Sequence, residues 1–404
     1  MRKELFSAAV VVAALGYFVD VFDLLLFSIL RVPSLKELGL NDAQILEQGI
    51  HILNLQLGGL IFGGIIWGIL GDKFGRLSIL FGSIFLYSIA NIACAFVQNV
   101  ETYALLRFIA GLGLAGELGA GITLVSELLS KEDRGWGTTL VTAVGVAGAI
   151  VAGLLAQVVS WRVCYFIGGV LGLLLLVARV SVSESEAFKA IKSKSQVKRG
   201  SILMLFSTWD RVKRYLLCIL LGFPIMFVVY IFVTFSPEIS KGLNITGAVS
   251  AGTGIVFCYI GITIGDFLFG ALSQILKSRR RASLLSLLGL TVGLLILWLA
   301  PPRSTATIYI YCTCLGLLSA NWAVLLTSAA EQFGTNLRAT AATSIPNMVR
   351  GSAILSTLCF KDLKSYFSPF DSALIVGFAS ILIAFIALQF LEETYGKDLD
   401  FIEE

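Results

Sequence analysis

Ionisable side chains stand inside stretches of chain that are otherwise apolar, among them Asp20, Asp23, Arg107, Glu117 and Arg350. A charge at membrane depth is costly unless it pairs or works, so each is a candidate functional group. Counted from the end expected to face outward, Asp23 lies about seven residues into its stretch and Arg107 about six into its own. At 1.5 Å of rise per helical residue the two sit at similar depth. An acid and an arginine at matched depth pair while the acid is ionised, and protonating the acid releases the arginine; that is the chemistry of a proton-coupled switch. Asp20 is three residues away on the same helical face, so either carboxylate can be the one that titrates. Glu117 lies about ten residues below Arg107 and Arg350 about twelve residues into its stretch, both near mid-membrane. A buried arginine there needs an anion, either an acid of the protein or a carboxylate on a solute. Arg350, Arg107, Tyr17, Tyr230, Asn321 and Trp322 are the candidate solute contacts, and Asp266 reads as a gate or structural residue. His51, the one histidine, falls at the end of a stretch and reads as a solvated end residue rather than a proton relay.

The elements that must position these groups are membrane helices. The chain is 57% hydrophobic and 14% charged with a mean hydropathy of +0.89, against roughly 25% charged residues in soluble domains. Twelve apolar stretches are long enough to cross a hydrocarbon core about 30 Å thick. They cover about 5–30, 49–70, 77–98, 102–129, 136–159, 162–181, 212–236, 249–275, 282–300, 306–330, 338–360 and 371–391. The fold class expected is an all-α membrane protein of twelve transmembrane helices in two pseudo-symmetric six-helix bundles. The first stretch follows Arg2 and Lys3 like a signal peptide, but it carries Asp20 and Asp23 and is too long, so it reads as a retained span. All seven cysteines fall inside spans and read as small apolar fillers, with no disulfide and no metal site.

Basic residues set the orientation. Arg2, Lys3, Lys73, Arg76, Lys131, Arg134, Lys277, Arg279, Arg280, Arg281, Arg338 and Lys397 gather on one side, with the central polar connector; the other side holds fewer. Both termini are therefore expected in the cytoplasm of a multi-pass inner-membrane protein. The net charge of +4 is then a topology signal and not a nucleic-acid footprint. The connector divides the chain into an N-terminal bundle, 1–182, a cytoplasmic linker, 183–210, and a C-terminal bundle, 211–404. Internal echoes support the division. Gly68-Ile69-Leu70-Gly71-Asp72 returns in degraded form as Gly270-Ala271-Leu272-Ser273-Gln274, an offset of 202 (270 − 68). Glu127 with Arg134 seven positions on returns as Glu331 with Arg338, an offset of 204 (331 − 127).

Gly68, Gly71-Asp72 and Gly75-Arg76 between spans 2 and 3 resemble the signature loop of the major facilitator superfamily. Arg107, Gly111, Gly113 and Gly116 in span 4 resemble that superfamily's sugar-porter and metabolite–proton symporter branches, as does the Glu127…Arg134 pattern beyond them. Gly16-Tyr17-Phe18-Val19-Asp20-Val21-Phe22-Asp23 and Ser183-Glu184-Ser185-Glu186-Ala187-Phe188 look like the symporter branch. The resemblance implies a cytoplasmic latch of Gly68, Asp72, Gly75, Arg76, Glu127 and Arg134, with Glu331 and Arg338 as its second copy. It also implies cavity-lining spans 1 and 4 and substrates that mostly carry carboxylates. The second loop has Gln274 where the first has Asp72, and Lys277-Ser278 where the first has Gly75-Arg76.

Gly111-Leu112-Gly113-Leu114-Ala115-Gly116 matches a dinucleotide fingerprint only in isolation; in mid-span, with no strand before it, the glycines read as helix-packing residues. No nucleophile–base set and no soluble catalytic domain is present, so an enzyme is not expected. The reading is proton-coupled uptake of a small organic solute, with a carboxylate-bearing metabolite favoured, by a monomer in the lipid bilayer that needs no cofactor and binds no nucleic acid. An exporter of drugs or metabolites in the same fold, and a sugar symporter or uniporter, are the alternatives. Exporters of this fold typically carry a proline-containing glycine motif in span 5, and Gly145-Val146-Ala147-Gly148-Ala149-Ile150-Val151-Ala152-Gly153 has no proline.

Overall fold

A computed structural model describes residues 8–74, 76–117, 134–179, 202–397 and 403. Among the described residues twelve helical rods follow one another, and there is no strand. The first six are α1 (Ala8–Glu37), α2 (Asp42–Phe74), α3 (Arg76–Cys94), α4 (Val100–Leu114), α5 (Arg134–Val158) and α6 (Trp161–Arg179). The second six are α7 (Trp209–Val233), α8 (Ala251–Ile275), α9 (Arg279–Leu299), α10 (Thr305–Glu331), α11 (Thr335–Leu363) and α12 (Pro369–Phe390). Two short helices, Ile202–Leu205 and Ser236–Gly242, flank α7.

Local chemistry sets the ends. Asn99 caps α4 by accepting from the Thr102 amide, Ser304 and Thr307 form a reciprocal capping box on α10, and Ser368 with Pro369 opens α12. Gly39, at φ 88°, turns the chain between α1 and α2 where a Cβ would be strained. Eight rods are both long and apolar enough to span a membrane by composition. α11 is an exception for a physical reason: it buries Ser344, Asn347, Arg350, Ser352, Ser356 and Thr357 among its neighbours, so its polarity faces inward. Outward, Phe62, Phe85, Phe96, Leu105, Phe267, Trp298 and Leu382 are more than half exposed, an apolar coat suited to lipid.

The two sets of six are packed alike. α1 lies on α5, α2 on α4 and α3 on α6, while α7 lies on α11, α8 on α10 and α9 on α12. The closest seams repeat residue by residue. A Cβ on Gly59 or Gly63 of α2 would stand 2.2 or 2.3 Å from the Phe108 or Leu112 carbonyl of α4. A Cβ on Gly261 or Gly265 of α8 would stand 2.1 or 2.2 Å from the Thr313 or Leu317 carbonyl of α10. Both glycines recur 202 positions on (261 − 59 and 265 − 63), the offset of the loop echo. Backbones this close tolerate only glycine, the small-residue packing expected inside a bilayer.

Two rods are interrupted. α10 breaks at Ala320 and Asn321, so that it is two half-helices, Thr305–Ser319 and Trp322–Glu331. α7 breaks at Gly222 and ends in a π-helical stretch, Val228–Val233, in which every residue is buried. The halves meet where α2 lies on α11 and α5 on α8.

Candidate functional site

The centre of the molecule is a buried ion pair between the halves. Arg350 of α11 donates from Nη2 to Asp20 Oδ2 of α1 at 3.2 Å, with both side chains almost fully enclosed. The second oxygen of Asp20 and Nη1 of Arg350 have no hydrogen-bond partner, so each group keeps one unused valence. Tyr17, Tyr230 and Tyr259 are near enough to interact electrostatically with the same guanidinium, and the Trp322 ring centre lies 6.0 Å from its Cζ. Gly145 of α5 makes room for Tyr17: a Cβ there would fall 1.9 Å from the Tyr17 ring. A planar cation and a carboxylate thus meet beside the Trp322 ring, with three tyrosines in the neighbourhood, where unpaired charge is expensive.

Arg107 and Asp23 are neighbours, as depth counting expects, but their contact is not a side-chain ion pair. Arg107 donates to Asn91 Oδ1 at 2.7 Å, to Gln56 Oε1 at 3.3 Å and to the backbone carbonyl of Asp23 at 3.4 Å, and its guanidinium lies 5.1 Å from the Tyr165 ring. The Asp23 carboxylate points instead toward Gly168 of α6 and accepts no hydrogen bond of ordinary geometry. Helix rotation, which depth counting leaves open, decides this. Every partner of Arg107 belongs to the first six helices.

Glu117 pairs with Arg179, the last residue of α6, whose side chain folds back into the bundle. The pair rests on Gly16 of α1, one turn before Asp20, where no Cβ would fit. Asn321 is turned away from the centre and exchanges hydrogen bonds of 3.1 and 3.2 Å with Ser283 of α9. Sequence singles out Arg107 and Arg350 as the arginines deep in the spans, and the structure corrects this: Arg31 and Arg179 are as enclosed as either. Arg179 sits at the end of its apolar stretch, where sequence counts it with the connector.

Arg31 closes the face that holds the α1–α2 turn. Its two terminal nitrogens meet the two carboxylate oxygens of Glu238, both at 2.8 Å, while Nη2 also donates to the Thr234 carbonyl and Cζ lies 4.6 Å from the Phe235 ring centre. Lys241 with Asp42 at 2.7 Å, Lys361 with Glu47 at 3.1 Å and Thr357 with Asn54 at 2.5 Å add three more links between the halves at this face. His51 is exposed on the same side.

The opposite face carries Glu331, one of the residues expected in the second copy of the latch. Glu331 accepts from Arg279 at 3.1 and 3.3 Å and from Thr394 at 2.7 Å. Arg279 corresponds to Arg76 at an offset of 203 (279 − 76), so the arginine that the second loop lacks at Ser278 is supplied one residue later. Burial alone would raise the carboxyl of nearby Glu393, but the Ser278 hydroxyl and the amides of Tyr395, Arg279 and Arg280 outweigh it and bring its pKa down to about 2. Gly75 and Glu127 lie outside the described residues. Asp72, Arg76, Arg134 and Arg338 fall on α2, α3, α5 and α11, and only their backbone is described; the same holds for Gly68 on α2. Gly270 has open space around it.

Two like halves closing on an enclosed, charged centre define a membrane carrier. The family model described as Major Facilitator Superfamily matches residues 13–357, and the chain belongs to that family: it is a multi-pass membrane transporter and not an enzyme. It is 26% identical over 430 residues to the niacin transporter NiaP of Acinetobacter baylyi, covering 97% of this chain and 95% of that one. It is 28% identical over 200 residues to the gentisate transporter of Corynebacterium glutamicum, covering 48% of this chain and 44% of that one. Among solved structures, a D-xylose-proton symporter superposes with a TM-score of 0.73 at 18% identity, over 97% of this chain and 99% of that one, a likeness of fold.

Proposed function

We propose that this transporter takes up a small aromatic carboxylate together with protons, by alternating access between a bundle of residues 1–182 and one of residues 211–404 joined by the linker 183–210. The observation that carries the reading is the Asp20–Arg350 pair, which bridges the bundles among Tyr17, Tyr230, Tyr259 and Trp322. Among the described residues, Arg350 is the enclosed arginine whose ion-pair partner is a carboxylate at this centre. Protonating Asp20 releases the guanidinium fork, which then receives the carboxylate of the solute while the rings hold its flat body. Proton and anion enter together because the arginine cannot hold both carboxylates. Niacin and gentisate, which the relatives above carry, share an aromatic ring bearing a carboxylate, and this supports the solute class.

Asp23 and Glu117 serve as further proton stations within the first bundle, beside Arg107 and Arg179. Arg107, with its donors engaged by Asn91, Gln56 and the Asp23 carbonyl, holds that bundle together rather than meeting the solute. The Arg31–Glu238 face is the outside and the Glu331–Arg279 face the cytoplasm, in keeping with the basic residues of the latter. The latch of Gly68, Asp72, Gly75, Arg76, Glu127 and Arg134 works there with Glu331 and Arg338, and the carrier acts as a monomer.

The test is uptake of labelled benzoate, niacin, gentisate and xylose by proteoliposomes under an imposed proton gradient. The aromatic carboxylates should accumulate with external alkalinisation. Asp20→Asn should abolish accumulation but keep carboxylate exchange, which moves no net proton. Accumulation of xylose alone, or undiminished accumulation by Asp20→Asn, overturns the reading.

A further inference from the structure

The break in α10 leaves the half-helix Trp322–Glu331 to begin in the middle of the molecule, with its first amides lacking partners in their own helix. Asn321 precedes it, a residue type that commonly caps a helix with its own side chain. Here it does not, because its amide is committed to Ser283 of α9. The cap comes from another helix. Oδ1 of Asp266 in α8 accepts from the Trp322 amide at 3.1 Å and from the Ala323 amide at 3.3 Å.

Asp266 can reach because it follows Gly265, the glycine at which α8 touches the Leu317 carbonyl and the Ala320 methyl of α10. Its second oxygen is buried with no hydrogen-bond partner, and no arginine or lysine among the described residues pairs with it. A carboxylate is costly in such a place, so the two amide bonds must repay something. What they hold is Trp322. The residue is 7% exposed, and its indole reaches the Tyr17 hydroxyl by hydrogen bonding and lies beside Arg350. Without the cap the first turn of the half-helix frays, and the ring that begins it loses its fixed direction.

We infer that Asp266 is a positioning residue for solute selection: by capping the second half of α10 it fixes the Trp322 indole beside Arg350, so that the carrier prefers flat aromatic carboxylates over saturated ones. The inference rests on the solute class proposed above. Asp266 acts through its acceptor oxygen and not through its charge, so Asp266→Asn keeps the function and Asp266→Leu removes it.

Two measurements on the full chain test this. In the first, binding of benzoate and of cyclohexanecarboxylate, equal in charge and similar in size, is compared in wild type, Asp266→Asn and Asp266→Leu. The wild-type preference for benzoate should stay within about threefold in Asp266→Asn and fall about tenfold or more in Asp266→Leu, while cyclohexanecarboxylate binding stays near the wild-type level. In the second, the other five of the six tryptophans are replaced by phenylalanine, and the emission and acrylamide quenching of Trp322 are read without solute. Asp266→Leu should shift the emission and raise the quenching, and Asp266→Asn should leave both unchanged. An unchanged Trp322 signal in Asp266→Leu overturns the inference, as does an Asp266→Asn variant as impaired as Asp266→Leu. If the wild type binds neither acid while Trp322 responds as expected, the solute class fails and the Asp266–Trp322 link stands.

Discussion

Removing the Glu238 carboxylate should open the face that the Arg31 pair closes. Arg31 has no exposed surface, and Glu238 keeps 16% of its side chain exposed, so the pair is largely but not wholly desolvated. Breaking a fully buried pair by deleting one partner costs roughly 3–5 kcal/mol, because the remaining charge is stranded. Partial exposure of Glu238 places this pair at the low end, about 3 kcal/mol. When the face opens, Arg31 regains water, so nearly all of that cost falls on the closed state. At 1.36 kcal/mol per decade, Glu238→Ala should raise the open-to-closed ratio about a hundredfold. Spin labels at Asn41 and Thr246, one on each side of the closure, report it directly, after Cys314 and Cys359, the two exposed thiols, are replaced. The distance distribution should move toward longer values, and the double variant Arg31→Met with Glu238→Ala should move it back, since no stranded charge remains. A Glu238→Ala distribution identical to wild type, or a double variant as open as the single one, refutes the reasoning.

Arg350→Lys should weaken benzoate binding about tenfold while leaving the fold intact, since lysine keeps the charge but not the two-pronged geometry; equal affinity by titration calorimetry would argue against a carboxylate at that position. Gly265→Val should lower thermal stability in detergent by about 1–3 kcal/mol, because its Cβ meets the Leu317 carbonyl at 2.2 Å, whereas Gly270→Ala, with nothing within 4 Å, should be neutral. The carboxyl of Glu393 titrates at about 2 in the folded protein against an ordinary 4.5, so its contribution is complete above the ordinary value and is lost as pH falls from there toward 2. Protection of the Arg279 and Tyr395 amides, as exchange rates divided into the intrinsic rate at each pH, should accordingly be unchanged between pH 7 and 5 and fall steeply below about 4.

Span number, the all-helical class and the two-fold repetition were readable because each rests on a local or periodic signal: hydrophobic length, charge asymmetry and a recurring offset. The offset is exact at Gly59 and Gly63 against Gly261 and Gly265, although glycine is too frequent in this chain, at 40 residues, for those four to be singled out in sequence. The site was legible as a set of residues and not as a set of pairs. Asp20, Tyr17, Tyr230, Trp322 and Arg350 do converge, but Asp20 and Arg350 are 330 positions apart and meet only because α1 and α11 face each other. Depth along a helix can be counted; rotation about its axis cannot, and this is why Asp23 sits beside Arg107 with its carboxylate turned toward Gly168. Tyr259 went unnoticed because one more tyrosine in an apolar stretch carries no signal. Arg31 and Arg179 went unnoticed because each stands at a span boundary, where an arginine ordinarily reaches for water.

The π-helical end of α7 gives that helix a surplus residue. Thr234 donates its amide to Val229 and Phe235 to Ile231, and the Tyr230 carbonyl is stepped over. A wide turn of this kind holds one residue more than an α-turn and can hand it on along the chain. Passing it on toward Glu238 shifts each residue that it passes by about 1.5 Å along the axis and turns it by about 100°. On one side of the surplus lies Tyr230, facing Arg350; on the other lie Thr234 and Glu238, holding Arg31. The last turn of α7 is thus wound like a ratchet with a spare tooth: a surplus that moves along past Thr234 turns the grip on Arg31.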